Sequence, residues 1–346
     1  MIRRLARRIW SFAGLALFAA ALCVLHQQLR TYHPREILAG LRQVPSWRII
    51  ASLALTAANY LVLTAYERLA FRYIRHPLPY RRIGVASFIG YAVSNNVGFP
   101  MLSGSSIRCR LYSAWGVSGS EIARVIAFIT LTFWLGLFAL VGVVLLACPM
   151  DVPVGLHLPM ATTRPIGVIA LLILAAYVAW SLRRRPIALW GWKLSVPPAR
   201  YALTQMLVSA IDLALAGSAL YVLLPTLPMS YPAFLSIYLL AMVAGMCSQI
   251  PGGLGIFETG VLSLLSPILP ASVAIGALLI YRAIYYLLPL CVATLLLGMH
   301  ELLARQPMVR RSASRTAALV FIPGQRAPEP AAVERPVDEV QRDVTP

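Results

Sequence analysis

Six predominantly apolar runs, Ile9–Leu29, Ile49–Tyr66, Ile122–Ala147, Pro165–Leu182, Tyr201–Leu224 and Ala271–Met299, punctuate a chain of 346 residues. Each approaches or exceeds the ~20 residues that a helix needs to cross the hydrocarbon core of a bilayer. A segment in lipid must satisfy its own backbone hydrogen bonds, so runs of this length can only be helices. Composition agrees, with 59% hydrophobic and 12% charged residues and a mean hydropathy of +0.75. The expected class is an all-α polytopic membrane protein, and soluble multidomain readings fall away.

The net charge of +18 raises the question of nucleic acid. The basic residues lie between apolar spans rather than on one stripe, so they read as topology signals and contacts to anionic lipid head groups. Arg3, Arg4, Arg7 and Arg8 place the N-terminus in the cytoplasm, before an uncleaved first span. The loops with Arg72, Arg75, Arg81 and Arg82, and with Arg183, Arg184, Arg185 and Lys193, are expected on the same side. So is the C-terminus, with Arg305, Arg310 and Arg311. Connections 148–164, 225–231 and 266–271 are poor in basic residues and are expected outside. The loop 30–48 carries four arginines and breaks the rule. Residues 306–346, rich in Pro, Ala and charge, read as a disordered cytoplasmic tail after a membrane domain of residues 1–305.

Residues 83–120 then begin and end inside, and 232–266 begin and end outside. Each is expected to be a re-entrant helical hairpin, turning at S-N-N-V-G-F-P-M-L-S-G (94–104) and S-Q-I-P-G-G-L-G (248–255). The alternative is eight conventional spans. Broken backbone at membrane depth is tolerated only where protein or a water-filled cavity surrounds it, so both turns are expected inside the bundle. The structural breakers are Gly98 and Gly104 in the first, and Pro251, Gly252, Gly253 and Gly255 in the second.

The two turns are about 154 residues apart, and the spans recur at nearly that offset: Ile9 onto Pro165, Asn59 onto Asp212, Ile122 onto Gly276. Each half, about 5–150 and 160–305, contains three spans and one hairpin. Three crossings is an odd number, so the halves are expected to be inverted repeats, a layout in which broken helices meet near the midplane to build a transport site.

Few ionisable residues remain at membrane depth: Glu67, Asp212, Glu258 and Arg282. A lone charge at the bilayer centre costs about 2.5–3.5 kcal/mol or more, so such groups face a cavity or a partner. Asp212 either bonds a neighbouring helix or handles substrate and protons. Arg282 either pairs with Glu258, locking the second hairpin to the last span, or receives a phosphate, with Tyr285 and Tyr286 three and four residues on as aromatic walls. Asn95 and Asn96 add polar groups to the first turn. Arg108, on its return arm in S-G-S-S-I-R-C-R-L-Y, suits an anionic head group. The five cysteines are scattered without metal-ligand spacing, and neither a metal nor another cofactor is expected.

The stretches Y-A-V-S-N-N-V-G-F-P-M-L-S-G-S-S-I-R-C-R-L-Y and S-Q-I-P-G-G-L-G-I-F-E, with Y-R-x-x-Y-x-x-x-P at Tyr281–Pro289, resemble the lysylphosphatidylglycerol synthetase/flippase (MprF) family. The similarity is to its N-terminal flippase-type domain and to stand-alone YbhN-like members, over roughly residues 5–305. It implies an inner-membrane protein that moves a phospholipid, such as aminoacylated phosphatidylglycerol, between leaflets. The family's acidic and basic positions fall on Glu67, Arg108, Asp212 and Glu258. A chain ending at 346 is expected to lack the synthetic domain of the bifunctional members, and so to be a transporter rather than an enzyme. The alternative is a scaffold or accessory subunit for a separate lipid- or glycan-modifying enzyme. The residues leave the lipid, its direction of movement and the oligomeric state open.

Overall fold

A computed structural model describes residues 44–96, 100–150, 162–183, 187–189, 192–194 and 197–299. The expected span Ile9–Leu29, the turn residue Gly98 and the tail 306–346 lie outside the described residues. Among the described residues, five helices are long and apolar enough to cross a membrane: α1 (Ser46–Ile74), α4 (Gly119–Ala147), α5 (Arg164–Leu182), α6 (Ala199–Tyr221) and α9 (Ala271–Met299). They coincide with five of the apolar runs. At 1.5 Å per residue, the 29 residues of α1 extend about 43 Å, well beyond a hydrocarbon core of about 30 Å.

Four shorter helices complete the described bundle. Helices α2 (Tyr80–Asn96) and α3 (Pro100–Ala114) are 17 and 15 residues long. Helices α7 (Tyr231–Cys247) and α8 (Ile256–Leu265) have 17 and 10 residues. None reaches the ~20 residues of a perpendicular crossing. Each pair folds back on itself. In the first, Gly104 faces Gly90 and Ser94; in the second, Gly260 faces Ala241 while Gly245 faces Gly253 and Phe257. The described residues are helical apart from one antiparallel ladder in the basic loop, β1 (Ile187–Leu189) with β2 (Trp192–Leu194).

Local chemistry explains the boundaries. Pro100 opens α3, where its missing N–H is no loss. Ser118 caps α4 in a box with Glu121, each side chain bonding the other's backbone N–H. Between α7 and α8 the chain makes one 3₁₀ turn at Pro251–Gly253. Gly252, Gly253 and Gly255 there take φ of 62°, 61° and 80°, a region that residues with a Cβ enter only at a cost. Helix α9 is widened at Arg282–Leu287 into a π turn, a feature that often marks functional sites.

Two apolar clusters form the core. One joins α1, α2, α3 and the start of α4 to Leu290, Ala293 and Leu297 of α9. The other gathers the far end of α4 with α6, α7, α8 and the first part of α9. Helix α4 belongs to both and is the axial element. In lipid, helices associate through close packing and interhelical hydrogen bonds rather than hydrophobic expulsion, and α4 does both. A Cβ at Gly136 would lie 2.0 Å from that of Ser209 on α6. One turn away, Gln205 donates to Thr132 at 2.8 Å. Helix α5 is peripheral, with Ile169 and Leu172 exposed.

The second turn departs from the expected enclosure. Gln249, Ile250, Pro251 and Gly255 are exposed, and the turn's polar groups are met partly within the turn and partly by the last span. Gly253 N–H donates to the Ile250 carbonyl at 2.8 Å, and Arg282 donates to the Gly252 carbonyl at 2.6 Å.

Candidate functional site

The first polar centre forms between α1 and the α2–α3 hairpin. Glu67 lies on the buried stripe of α1 with Tyr60, Leu63, Ala70 and Phe71. Arg108 and Tyr112, one turn apart on α3, reach the same carboxylate. Arg108 Nε donates to Oε1 at 2.6 Å, and the Tyr112 hydroxyl donates to Oε2. The guanidinium carbon lies 4.5 Å from the Tyr91 ring centroid on α2, a cation–π contact. Glycines make the space: a Cβ at Gly104 would stand 2.0 Å from Ser94 Oγ and 2.7 Å from Arg108 Nη1. Glu67 is 0% and Arg108 3% exposed, so this ion pair is sealed in protein.

The second centre ties the α7–α8 hairpin to the last span. Arg282 Nε donates to Glu258 Oε1 at 2.5 Å, while Glu258 Oε2 accepts from Gly255 N–H at 2.8 Å. Glu258 thus caps α8 and holds the guanidinium with one carboxylate, an anion at a helix N-terminus. Tyr286 and Phe257 flank the guanidinium at 4.4 and 5.4 Å. The expected contact between Glu258 and Arg282 is present. Of the two expected walls, Tyr286 is in place and Tyr285 is not: the Tyr285 hydroxyl donates to Asn59 at 3.0 Å. The π turn accounts for this, since its wider winding rotates Tyr285 away from the Arg282 face while leaving it in edge contact with Tyr286 at 5.2 Å.

The third centre lies where α1 meets α6. Asn59 Nδ2 donates to both Oδ1 and the main-chain carbonyl of Asp212, each at 2.7 Å. Tyr66 donates to Oδ2 at 2.7 Å. Asp212 is 5% exposed, and its described hydrogen-bond partners are all neutral. Asn96 joins the first hairpin to the π turn through the Tyr286 carbonyl at 3.2 Å, and Asn95 borders Tyr60. The Tyr66 ring lies 6.1 Å from that of Tyr91, and the Tyr285 ring 5.2 Å from that of Tyr286, so aromatic contacts link the three centres.

Tyr66, Tyr91 and Tyr112 were not singled out by sequence reasoning. Two signals pointed to them: Tyr66 precedes Glu67, and Tyr112 follows Arg108 by one helical turn. Among the described residues, no three His, Cys, Asp or Glu side chains converge as a metal site would require.

Fold and site together define a polytopic helical membrane protein with two short helical hairpins, each joined to a neighbouring span by an arginine–carboxylate pair. Residues 11–293 match the lysylphosphatidylglycerol synthase TM region, and the chain belongs to that family. It is 41% identical over 292 residues to the protein slr0712 of Synechocystis sp., covering 84% of this chain and 91% of that one. Inner membrane protein YbhN of Escherichia coli is 30% identical over 295 residues, with the same shares covered. A phosphatidylglycerol lysyltransferase of Staphylococcus haemolyticus is 23% identical over 283 residues, which make up 81% of this chain and 32% of the enzyme.

Proposed function

We propose that this protein is a flippase-type transporter of the bacterial inner membrane, moving a phospholipid or another lipid-linked substrate between leaflets. The observation that carries the reading is Asp212, a buried carboxylate in a spanning helix whose described partners are neutral donors. A carboxylate kept at membrane depth without a cation beside it is costly unless it takes a proton or a cationic group during a cycle. The relationship to phosphatidylglycerol lysyltransferases suggests aminoacylated phosphatidylglycerol as one candidate, since its head group carries a cation for Asp212 and a phosphate for Arg108 and Arg282.

In this reading α2–α3 and α7–α8 are re-entrant hairpins, entering from the cytoplasm and from outside respectively, and the halves are inverted repeats. Their lengths, all short of a full crossing, support it. So does the bond between Asn59 and Asp212, which hold equivalent places in the two halves. The pairs Glu67–Arg108 and Glu258–Arg282 would open in turn as a head group passes. Both termini would be cytoplasmic, and the protein would act without a cofactor. Oligomer formation is compatible with the exposed face of α5.

A second reading, a scaffold or accessory subunit of a separate lipid- or glycan-modifying enzyme, is favoured by the closure of both ion pairs, which suits a purely structural role. Proteoliposomes separate the two. Wild type alone should move fluorescent or lysylated phosphatidylglycerol across the bilayer and Asp212→Asn should not. Movement that appears only with a co-reconstituted enzyme would favour the scaffold.

A further inference from the structure

At its C-terminal end α1 borders a cavity of about 580 Å³ whose lining includes Arg68, Arg72, Arg75, His76, Phe71 and Tyr80. Arg68, Arg72 and Arg75 are spaced four and three apart, so they share one face of the helix. Arg68 lies 5.7 Å from the Tyr80 ring centroid, which gives the cavity an aromatic side. His76 is turned towards Glu121 at 3.0 Å; the cavity lining itself contains no carboxylate. Three arginines therefore line one concave space.

The backbone adds an independent observation. Arg75 ends α1 with φ 57° and ψ 32°, and the loop closes with Arg75 N–H on Arg72 and His76 N–H on Phe71. That is the Schellman arrangement, whose left-handed residue is usually glycine. An arginine there is strained, and its neighbours repel it. A topology signal requires arginines near a span end; it does not require them to line one cavity, nor one of them in a left-handed conformation. Strain retained where charge is concentrated is characteristic of a ligand site.

We propose that this cavity binds a phosphate-bearing anion, separate from the buried ion pairs of the translocation path. Guanidinium forks match phosphate oxygens in paired hydrogen bonds, and the volume suits a head group or a small phosphorylated metabolite. Because α1 outruns the hydrocarbon core, its last two turns reach head-group depth, where a lipid phosphate or a soluble one can enter.

The test uses the full chain in phosphatidylcholine nanodiscs, following the thermal unfolding midpoint as phosphatidylglycerol is added to the disc or glycerol phosphate to the buffer, with sodium chloride at matched ionic strength. Anion-specific stabilisation is expected in the wild type. Arg72→Gln should weaken apparent affinity about tenfold. Arg75→Gly should raise the ligand-free midpoint, by relieving the strain, and still lose the response. A response to phosphatidylglycerol alone identifies a lipid head group, and a response to glycerol phosphate as well identifies a soluble phosphate; either supports the site. A shift reproduced by chloride, or undiminished in both variants, overturns it.

Discussion

Asn59 and Asp212 are joined twice across the α1–α6 interface, with the Asn59 amide donating at 2.7 Å to both the side chain and the main chain of Asp212. Residues 153 positions apart thus form one polar unit with Tyr66 and Tyr285. A buried amide clamped on a carboxylate restricts how the two helices can slide, because moving either one orphans polar groups in a medium that cannot hydrate them.

Substitutions at Asp212 should separate charge from packing. Asp212→Asn retains volume and one acceptor oxygen, and Tyr66 can turn its hydroxyl to accept from the new amide, so the variant should still fold and be recovered in detergent while lipid transport is lost. Asp212→Leu leaves Asn59 and Tyr66 without their acceptor and should cost about 2–4 kcal/mol. Wild-type transport by the Asn variant would reduce Asp212 to a helix contact.

The two ion pairs differ in enclosure, which orders their mutational costs. Glu67 and Arg108 side chains are 0% and 4% exposed, against 18% for Glu258 with Arg282 at 2%. Glu67→Gln strands Arg108 in a dry site and should destabilise by about 3–5 kcal/mol. Glu258→Gln should cost less, since that pair is less enclosed. Comparing unfolding midpoints of the two variants checks the order.

A double-mutant cycle on Glu258 and Arg282 measures their coupling. Either single change leaves an uncompensated charge, and the double change Glu258→Gln, Arg282→Met removes both, so the double should be milder than the sum by about 1–3 kcal/mol. A transporter built on this pair folds in the double variant and fails to move lipid. Additive stabilities would mean that the contact contributes no net energy.

Packing in the first hairpin turns on Gly104. Gly104→Ala puts a methyl group into the space of Ser94 Oγ and the Arg108 guanidinium, and should cost about 1–3 kcal/mol as overpacking. Adding Ser94→Ala removes the closer obstacle and should recover part of the loss in the same unfolding assay. No recovery would place the strain at Arg108 Nη1 or the Gly90 carbonyl, 2.7 and 3.1 Å from the same Cβ position.

Topology can be read by labelling single cysteines in a cysteine-free background. Pro77→Cys and Trp115→Cys flank the first hairpin and should react together from the cytoplasm. Pro228→Cys and Ile268→Cys flank the second and should react together from outside. Opposite-side labelling within a pair would make that hairpin two ordinary crossings.

Reading residues alone reached the spans, because the requirement that a helix cover the bilayer writes itself as an apolar run of given length. It also reached the contact of Glu258 with Arg282, since charges are so few at that depth that they must find one another. It paired Asn59 with Asp212 as equivalents in a repeat, yet nothing in the order of residues says that they touch. Only the packing of α1 on α6 decides that. Only the folding back of α3 on α2 brings Arg108 to Glu67, 41 positions away, through a gap that exists because Gly90 and Gly104 face each other across it. The turning of Tyr285 from Arg282 to Asn59, while Tyr286 stays beside the guanidinium, has the same origin. Helical periodicity assumes a uniform winding, and the π turn breaks that uniformity to satisfy neighbours far away in the chain.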